Sequence, residues 1–181
     1  MHSLIDWPEG LEYFPNFIST AEEKELILQL QALCWQEVIL FGQVARRRVC
    51  HFGLLYNYEG RTVQVTEQAP RFLDALIARS AQLIQAPPEA IAEILVTEYP
   101  IDAGINWHRD APVFKDIIGI SLASSSFIYF RNRSNKKEQI KLFLEPGSAY
   151  ILKKAIRTNW EHRIPPVKLP RYSITLRTLA L

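Results

Sequence analysis

The sequence predicts a mixed α+β fold that is mainly β, with a jelly-roll core and two N-terminal helices that buttress it. Two amphipathic helix patterns precede residue 90, and short strand-like segments separated by turn residues follow from Ile91 onward. A run of eight such segments is typical of a jelly-roll. We therefore expect both helices to pack on one of its sheets.

The first helix is predicted over residues 20–33. Ser19 or Thr20 can cap its amino end, because Glu22 and Glu23 stand three residues further on, in capping-box positions. Leucine and isoleucine then recur at helical spacing, which gives the helix one apolar face.

An extended lead-in, two strands and a second helix complete the first half of the chain. Residues 11–18 are predicted to be extended, and residues 35–41 and 44–55 to be strands joined by a glycine-containing turn. The second helix is predicted over residues 70–85, since proline is tolerated in a first helical turn. Its apolar stripe should pack on the outside of a sheet.

Eight strands are predicted in the second half, each bounded by Gly, Pro, Ser or Asn turns. They cover residues 92–99, 105–110, 117–122, 127–131, 139–144, 149–152, 162–164 and 171–179. No internal repeat or linker interrupts the chain. We therefore expect a single domain over residues 1–181, with helices and lid strands in residues 1–90 and the jelly-roll core in residues 91–181.

Composition narrows the class of protein. The 181 residues are 48% hydrophobic and 22% charged, which is ordinary for a soluble globular protein. No apolar stretch is long enough to span a bilayer, and no signal peptide is visible, so no membrane association is expected. Cys34 and Cys50 are too few for a disulfide framework, which favours a cytoplasmic location. We expect a monomer.

Charge is distributed unevenly along the chain. Residues 1–130 hold 9 Lys/Arg and 16 Asp/Glu, a net charge of −7, whereas residues 131–181 hold 12 Lys/Arg and 3 Asp/Glu, a net charge of +9. A basic region of this kind suits a polyanionic substrate. Lysines that only keep loops soluble are the alternative, notably for Lys141 and Lys168.

His108 and Asp110 are the first candidate site residues. In an extended segment alternate side chains share one face, so these two should project side by side. His162 would return on a neighbouring strand. Two histidines and one carboxylate that leave positions open are the ligand set of non-heme Fe(II) oxygenases. A strand end with a surface carboxylate is the simpler interpretation of the pair alone, and a catalytic zinc site would use the same ligand types.

A strand near the end of the chain strengthens the metal hypothesis. Its period-2 pattern places Arg171, Ser173, Thr175 and Arg177 on one face. Two guanidiniums are costly to bury unless an anion meets them, although an edge strand with a solvated face would explain the pattern too. Together with the histidines, the strand favours a small dicarboxylate that chelates the iron.

These segments together resemble the AlkB family of Fe(II)- and 2-oxoglutarate-dependent dioxygenases. The matching pieces span about half of the chain and are Thr97-Glu98-Tyr99, His108-Arg109-Asp110, Trp160-Glu161-His162 and the strand from Arg171 to Arg177. The resemblance implies a double-stranded β-helix that forms one dioxygenase domain. It also implies Fe(II), 2-oxoglutarate as co-substrate and O2 as oxidant, with release of succinate and CO2.

The same resemblance assigns roles around the co-substrate. Arg171 would pair with the distal carboxylate of 2-oxoglutarate, helped by the Tyr99 hydroxyl. Arg177 would face the carboxylate next to the metal, and Thr175 would line the pocket. Thr97 stands where the family commonly has an asparagine that contacts the co-substrate.

Substrate contacts are implied on two other segments. Tyr56 and Tyr58 lie in a segment that resembles the family's nucleotide-recognition lid, where they would stack on a base. A hairpin with two half-exposed tyrosines is the alternative. Arg131 and Arg133 lie on a predicted hairpin where the family has an arginine near the substrate.

The predicted function is oxidative demethylation of alkylated bases in DNA or RNA, with single-stranded or locally opened nucleic acid as the partner. The alternative is the same chemistry on a protein or small molecule. Pro112 favours that alternative, because it takes the position where the family often has a second acid. A catalytically inactive binding module is disfavoured, since the three predicted ligands and both arginines are present.

Overall fold

The computed structural model describes residues 7–40, 42–57 and 60–180. Twelve strands lie in these residues: β1 (Leu11–Phe14), β2 (Gln36–Leu40), β3 (Gln43–Asn57), β4 (Thr62–Val65), β5 (Ile91–Tyr99), β6 (Ile105–His108), β7 (Phe114–Leu122), β8 (Ser126–Asn132), β9 (Gln139–Leu144), β10 (Ser148–Leu152), β11 (Trp160–Ile164) and β12 (Arg171–Leu179). The α-helices are α1 (Thr20–Gln31), α2 (Asp74–Leu83) and α3 (Lys154–Asn159). Short 3-10 helices at Arg71–Leu73 and Pro88–Ala90 precede α2 and β5.

The strands form two antiparallel sheets. The major sheet has the order β1-β10-β7-β12-β5-β3-β2, with β4 paired to β3, and the minor sheet has the order β6-β11-β8-β9. One hydrophobic cluster joins the two, with Ile117 from the major sheet and Phe130 from the minor sheet among its members. Two facing sheets of this kind form a jelly-roll. The predicted mainly β jelly-roll is therefore confirmed.

A second hydrophobic cluster lies on the other face of the major sheet. Leu26 and Leu30 of α1 and Leu76 of α2 belong to it, together with sheet residues such as Ile120 and Ile174. In strands, alternate residues face opposite sides, so β7 contributes Ile120 to this cluster and Ile117 to the first one. No helix in the described part of the chain is long and apolar enough to cross a membrane.

The amino end of α1 is closed by the predicted capping box. The Glu22 backbone N–H donates to the Ser19 hydroxyl at 3.2 Å, and the Ser19 backbone N–H donates to the Glu22 carboxylate at 2.8 Å. These bonds satisfy two backbone donors that have no partner within the helix. Helix α1 begins at Thr20 for this reason.

The eight strands predicted in the second half are present, with ends that differ by at most three residues. One difference matters for the site, because β6 ends at His108 and the prediction of a strand through Asp110 is wrong. The last residue of β6 that pairs with β11 is His108, opposite His162, and the chain leaves the sheet after it. Asp110 therefore lies in the β6–β7 loop.

Among the described strands and α-helices, three have no counterpart in the prediction. Residues of β1 were expected only to be extended, but they pair with β10 through Leu11 and Leu152. Strand β4 pairs with the end of β3 through Val63 and Tyr56. Helix α3 is too short to show a helical period in the sequence.

Candidate active site

Strands β6 and β11 bring two of the predicted ligands side by side. His108 and His162 are directly paired across these strands, and their ring centroids are 4.3 Å apart. Asp110, which is only 6% exposed, places Oδ2 3.7 Å from Nε2 of His162. The three predicted ligand residues therefore lie together, between the two sheets.

The two histidines are prepared to act as ligands. Nδ1 of His108 lies 2.8 Å from the backbone oxygen of Asn106, so Nδ1 carries the proton and donates it. This leaves the lone pair of Nε2 for a metal. Burial, followed by the adjacent His108, lowers the pKa of His162 to about 3, so its ring is neutral in the absence of metal. Neutral imidazole is the form that binds metals.

Asp110 is ionised in spite of its burial. Desolvation alone would raise the pKa of its carboxyl group, but Arg177, with help from His162 and His108, holds that pKa well below its usual range. Nη2 of Arg177 donates to Oδ1 of Asp110 at 2.6 Å. The donor set thus consists of two imidazoles and one carboxylate, which suits a divalent transition metal.

The site is not a finished chelate. In the described ranges, no group of three His, Cys, Asp or Glu side chains is already arranged as a metal cluster. One oxygen of Asp110 is held by Arg177, and the other lies at 3.7 Å from His162. His108, Asp110 and His162 are therefore neighbours that are not yet arranged around a single point.

A helix that the sequence does not reveal positions the Asp110 loop. Arg157 of α3 is buried, and its Nη2 lies 2.6 Å from the backbone oxygen of Ala111 and 2.8 Å from that of Phe114. These bonds fasten both sides of the turn that follows Asp110 to the helix. We regard Arg157 as a positioning residue that sequence reasoning missed.

Arg171 is the most deeply buried cation of the site. Its side chain is 1% exposed, Nε donates to the Ser121 hydroxyl at 3.1 Å, and the guanidinium lies 5.2 Å from the ring centroid of Tyr99. Its Nη1 has no hydrogen-bond partner among the described residues. An unused buried donor on a cation is costly, so this guanidinium is suited to an anion that binds from outside.

The predicted threonines lie on the same strands as these groups. Thr97 is buried on β5 and pairs with Ser173 of β12, two residues from the pairing of Tyr99 with Arg171. Thr175 is half-buried on β12. By strand alternation all of these side chains face the interior between the sheets.

Tyr150 is a site residue that the sequence analysis did not single out. Its ring packs directly over Gly119, where an added Cβ would overlap the ring atoms. Burial raises the pKa of the Tyr150 hydroxyl well above its usual value, with partial opposition from Arg171. The hydroxyl therefore stays protonated and can donate. The strand partner of Tyr150, across β10 and β7, is Gly119, a pairing that the sequence alone does not show.

Arg177 is engaged by two carboxylates. Besides its bond to Asp110, its Nη1 donates to Oε2 of buried Glu93 at 2.6 Å. The other oxygen of Glu93 lies 3.3 Å from Nδ1 of His51 on β3. The resemblance implies that Arg177 faces a co-substrate carboxylate, whereas in this structure its donors hold Asp110 and Glu93.

Those predicted substrate residues that the structure describes lie on different elements. Tyr56 is half-buried in the β3–β4 hairpin, and Tyr58 lies outside the described residues. Arg131 lies on the outer face of the minor sheet, where its Nε donates to Glu161 at 2.7 Å. Arg133 is exposed between β8 and β9.

The β3–β4 hairpin departs from the major sheet at a glycine. Gly53 has a φ of +79°, and an added Cβ would collide with the backbone oxygen of Ala92. A residue with a side chain is therefore disfavoured there on both grounds. Before Gly53 strand β3 pairs with β5, and after it β3 pairs with β4, so this glycine sets the direction of the hairpin that carries Tyr56.

Known proteins resemble both the sequence and the fold. An uncharacterized protein of Acanthamoeba polyphaga mimivirus is 27% identical over 169 residues, which cover 88% of this chain and 74% of that protein. The Alkylated DNA repair protein ALKBH8 homolog of Arabidopsis thaliana is 28% identical over 193 residues, which cover 90% of this chain. This chain spans about half, 52%, of the Arabidopsis protein.

A solved structure and a family model extend these similarities. The structure of OsALKBH1 matches with a TM-score of 0.75 at 13% identity, covering 95% of this chain and 98% of that one. The model of the 2OG-Fe(II) oxygenase superfamily matches residues 10–177. The chain therefore belongs to the 2OG-Fe(II) oxygenase superfamily, as an AlkB-like dioxygenase that uses Fe(II), 2-oxoglutarate and O2.

Proposed function

We propose that this dioxygenase demethylates alkylated bases in single-stranded or locally opened DNA or RNA. The observation that carries the proposal is the net charge of +9 in residues 131–181, the part of the chain that also contains His162 and Arg171. Positive charge around a site attracts a polyanion and raises its local concentration. The Arabidopsis relative, which is named an alkylated DNA repair protein, supports the same substrate class.

We further propose that His108, Asp110 and His162 hold Fe(II). Their donor atoms fit the metal, because two imidazole nitrogens and one carboxylate oxygen are the ligand set of non-heme Fe(II) oxygenases. When bound, Fe(II) with 2-oxoglutarate and O2 supplies the oxidation of a substrate C–H bond, and 2-oxoglutarate is converted to succinate and CO2.

The chain's own residues bind and orient the co-substrate. Arg171 would receive the distal carboxylate of 2-oxoglutarate, with the hydroxyls of Tyr99 and Tyr150 as further donors. A guanidinium can meet a carboxylate through two parallel bonds, which fixes direction as well as distance. Thr97 and Thr175 would line the remaining wall of this pocket.

Arg177 has a different task in the proposal. It keeps Asp110 ionised and directs one carboxylate oxygen away from the metal-facing side. Arg157 holds the loop that follows Asp110, so the backbone that carries this carboxylate is fixed in position. A ligand oriented by such neighbours binds metal more tightly than an unsupported one.

Demethylation follows from oxidation at the methyl carbon of an N-methyl base. One oxygen atom of O2 enters that C–H bond and the other ends in succinate. The oxidised carbon then leaves as formaldehyde when the C–N bond breaks, and the base nitrogen gains a proton. Tyr56 and Tyr58 would stack on the extruded base, and Arg131 and Arg133 would contact phosphates.

A protein or small-molecule substrate is the second candidate. Pro112 is exposed in the loop after Asp110, so that position offers no carboxylate to read the polar edge of a base. This observation bears on base specificity and not on the oxidation chemistry. The two candidates therefore differ in substrate only.

A panel of methylated oligonucleotides tests the proposal. We expect formaldehyde and demethylated bases, detected by mass spectrometry, in amounts that match succinate release and fall in the His108→Ala variant. The matched control is the same panel without methyl groups, which should release succinate only at the uncoupled rate. Succinate release that no methylated oligonucleotide stimulates would contradict the nucleic-acid substrate while leaving the oxygenase chemistry intact.

A further inference from the structure

The outer face of the minor sheet carries a layer of aromatic side chains. On β8, Ile128 and Phe130 face the core, so Phe127 and Tyr129 face outward. Phe127 pairs with Phe143 of β9, which is 45% exposed, at 5.1 Å between ring centroids. The outward aromatic residues, which we call the aromatic platform, are Trp107, Phe127, Tyr129 and Phe143.

Cations are interleaved with these rings. The guanidinium of Arg131 lies 4.3 Å from the centroid of Trp107, and that of Arg163 lies 5.1 Å from Trp107 and 5.0 Å from Tyr129. Nζ of Lys141 lies 5.1 Å from the centroid of Phe127. A cation over the face of an aromatic ring is attracted by the ring's quadrupole. These cation–ring contacts therefore also stabilise the sheet.

Among the described residues, this face has a hydrogen-bond donor and cations that are not paired with acids. Nε of Arg163 is buried and has no hydrogen-bond partner within the described part of the chain. Glu161, the acid on β11, is paired with Arg131. Exposed Lys141 adds a cation of its own, and the β8–β9 hairpin adds the exposed Arg133. The charge of the face is therefore complementary to an anion.

We propose that the aromatic platform binds single-stranded nucleic acid that flanks the target nucleotide. Sequence-tolerant binding of single strands combines stacking of bases on aromatic rings with cations that follow the phosphates, and exposed aromatics on a β-sheet are one way to build it. The platform has both components on one sheet face. This inference rests on the proposed nucleic-acid substrate and adds where the rest of the strand lies.

The platform lies on the reverse side of the metal-binding strands. Trp107 directly precedes His108 on β6, and Arg163 directly follows His162 on β11. Alternation sends each pair to opposite faces, with the histidines inward and the platform residues outward. Flanking nucleotides would thus bind on the outer face of the minor sheet. The target base would reach the metal on the inner face of the same sheet.

Binding of an unmodified, fluorescently labelled single strand of about 12 nucleotides tests the proposal. The probe carries no methyl group, so the measurement does not depend on turnover. Tyr129→Ala and Phe143→Ala should each weaken binding about 5- to 150-fold, the range expected for loss of one stacked base. The matched control is Leu28→Ala, which removes a 64% exposed side chain from α1 and should leave affinity unchanged.

The salt dependence of binding distinguishes the contribution of the cations from that of the aromatic rings. Lys141→Ala should reduce the slope of log affinity against log salt by about one, whereas Lys24→Ala on α1 should leave the slope unchanged. Thermal unfolding of each variant identifies any that fails to fold. Lys141 and Phe143 are exposed, so their variants keep the test valid if Tyr129→Ala does not fold.

Each outcome decides the matter. The proposal is overturned if wild-type protein does not bind the probe, or if the folded platform variants bind it as tightly as wild type does. A concentration-dependent dimer that Phe143→Ala dissolves would overturn it as well, since the face would then be an interface between copies. Binding that needs the platform, with no demethylation of any methylated strand, would support this proposal and reject the proposed function alone.

Discussion

Strand β12 carries two buried arginines whose surroundings differ. Arg177 lies between two buried carboxylates and donates to Asp110 and Glu93, each at 2.6 Å. Arg171 is more deeply buried, yet among the described residues no carboxylate lies within ion-pair distance of it. Its contacts are a hydroxyl, on Ser121, and the ring of Tyr99.

The difference indicates that Arg177 stabilises the fold, whereas Arg171 is suited to bind a ligand. A buried charge must be compensated, and Arg177 finds its compensation within the chain. Arg171 finds none among the described residues, so it can accept an anion from outside, and we propose that the dicarboxylic co-substrate is that anion. The same residue type on one face of one strand therefore has two roles, which substitution can distinguish.

The largest expected effect is that of Arg177→Met on stability. The variant leaves Asp110 and Glu93 buried without their cation, which should cost about 3–5 kcal/mol of unfolding free energy. Urea denaturation of the metal-free protein at neutral pH measures this cost. Unchanged stability would mean that Arg177 does not hold the two carboxylates together.

Arg171→Met should affect co-substrate binding and leave the stability of the metal-free protein intact. It removes a buried charge that has no carboxylate partner, so metal-free stability should be equal to or above that of wild type. The 2-oxoglutarate requirement should rise roughly 10- to 150-fold, because bonds to a charged group contribute about 1.5–3 kcal/mol. Arg171→Lys should also raise the requirement, since an ammonium lacks the planar fork. If steady-state succinate release shows no change, the anchor lies elsewhere, with Arg177 the next candidate.

Glu93→Gln sharpens the assignment of Arg177. The amide keeps one acceptor but loses the charge, so we expect a loss of about 1 kcal/mol in unfolding free energy, well below that of Arg177→Met. Thermal unfolding with and without Fe(II) measures it, and Glu145→Gln, at an exposed position, is the control. A loss as large as that of Arg177→Met would mean that Glu93, and not Asp110, is the main partner.

Tyr150→Phe should have the smallest effect. Removing one neutral donor from the co-substrate pocket costs about 0.5–1.5 kcal/mol, which is a roughly 2- to 13-fold rise in the 2-oxoglutarate requirement. The ring that packs over Gly119 is kept, so unfolding should change little. A variant with the wild-type requirement would show that the Tyr150 hydroxyl does not reach the co-substrate.

Much of the jelly-roll could be predicted because its signals are local. Turn residues separate most of the strands from β5 to β12, and alternation shows which side chains of a strand share a face. The histidines and both arginines follow from such patterns together with the family resemblance. The loop position of Asp110 could not be predicted, because a His-x-Asp pair fits a strand equally well, and only the structure shows that the pairing of β6 with β11 ends at His108.

The remaining features depend on contacts between distant segments. The bonds from Arg157 to the Asp110 loop, the packing of Tyr150 over Gly119 and the partners of Arg177 all join residues far apart in the sequence. Charge counting predicts a basic C-terminal third, but only strand register shows that its cations alternate with rings on one sheet face. Periodicity within one segment cannot supply that register.

The central claim is that Arg171 anchors the co-substrate of a metal held by His108, Asp110 and His162. Anaerobic titration of the Fe(II)-loaded protein with 2-oxoglutarate tests it most directly. The signal that monitors the titration is the visible charge-transfer absorption of a 2-oxo acid chelated to Fe(II). We predict a saturable band in wild type, the same band at roughly 10- to 150-fold higher 2-oxoglutarate in Arg171→Met, and none in Asp110→Ala. An Arg171→Met titration identical to that of wild type, or a full band in Asp110→Ala, would contradict the account.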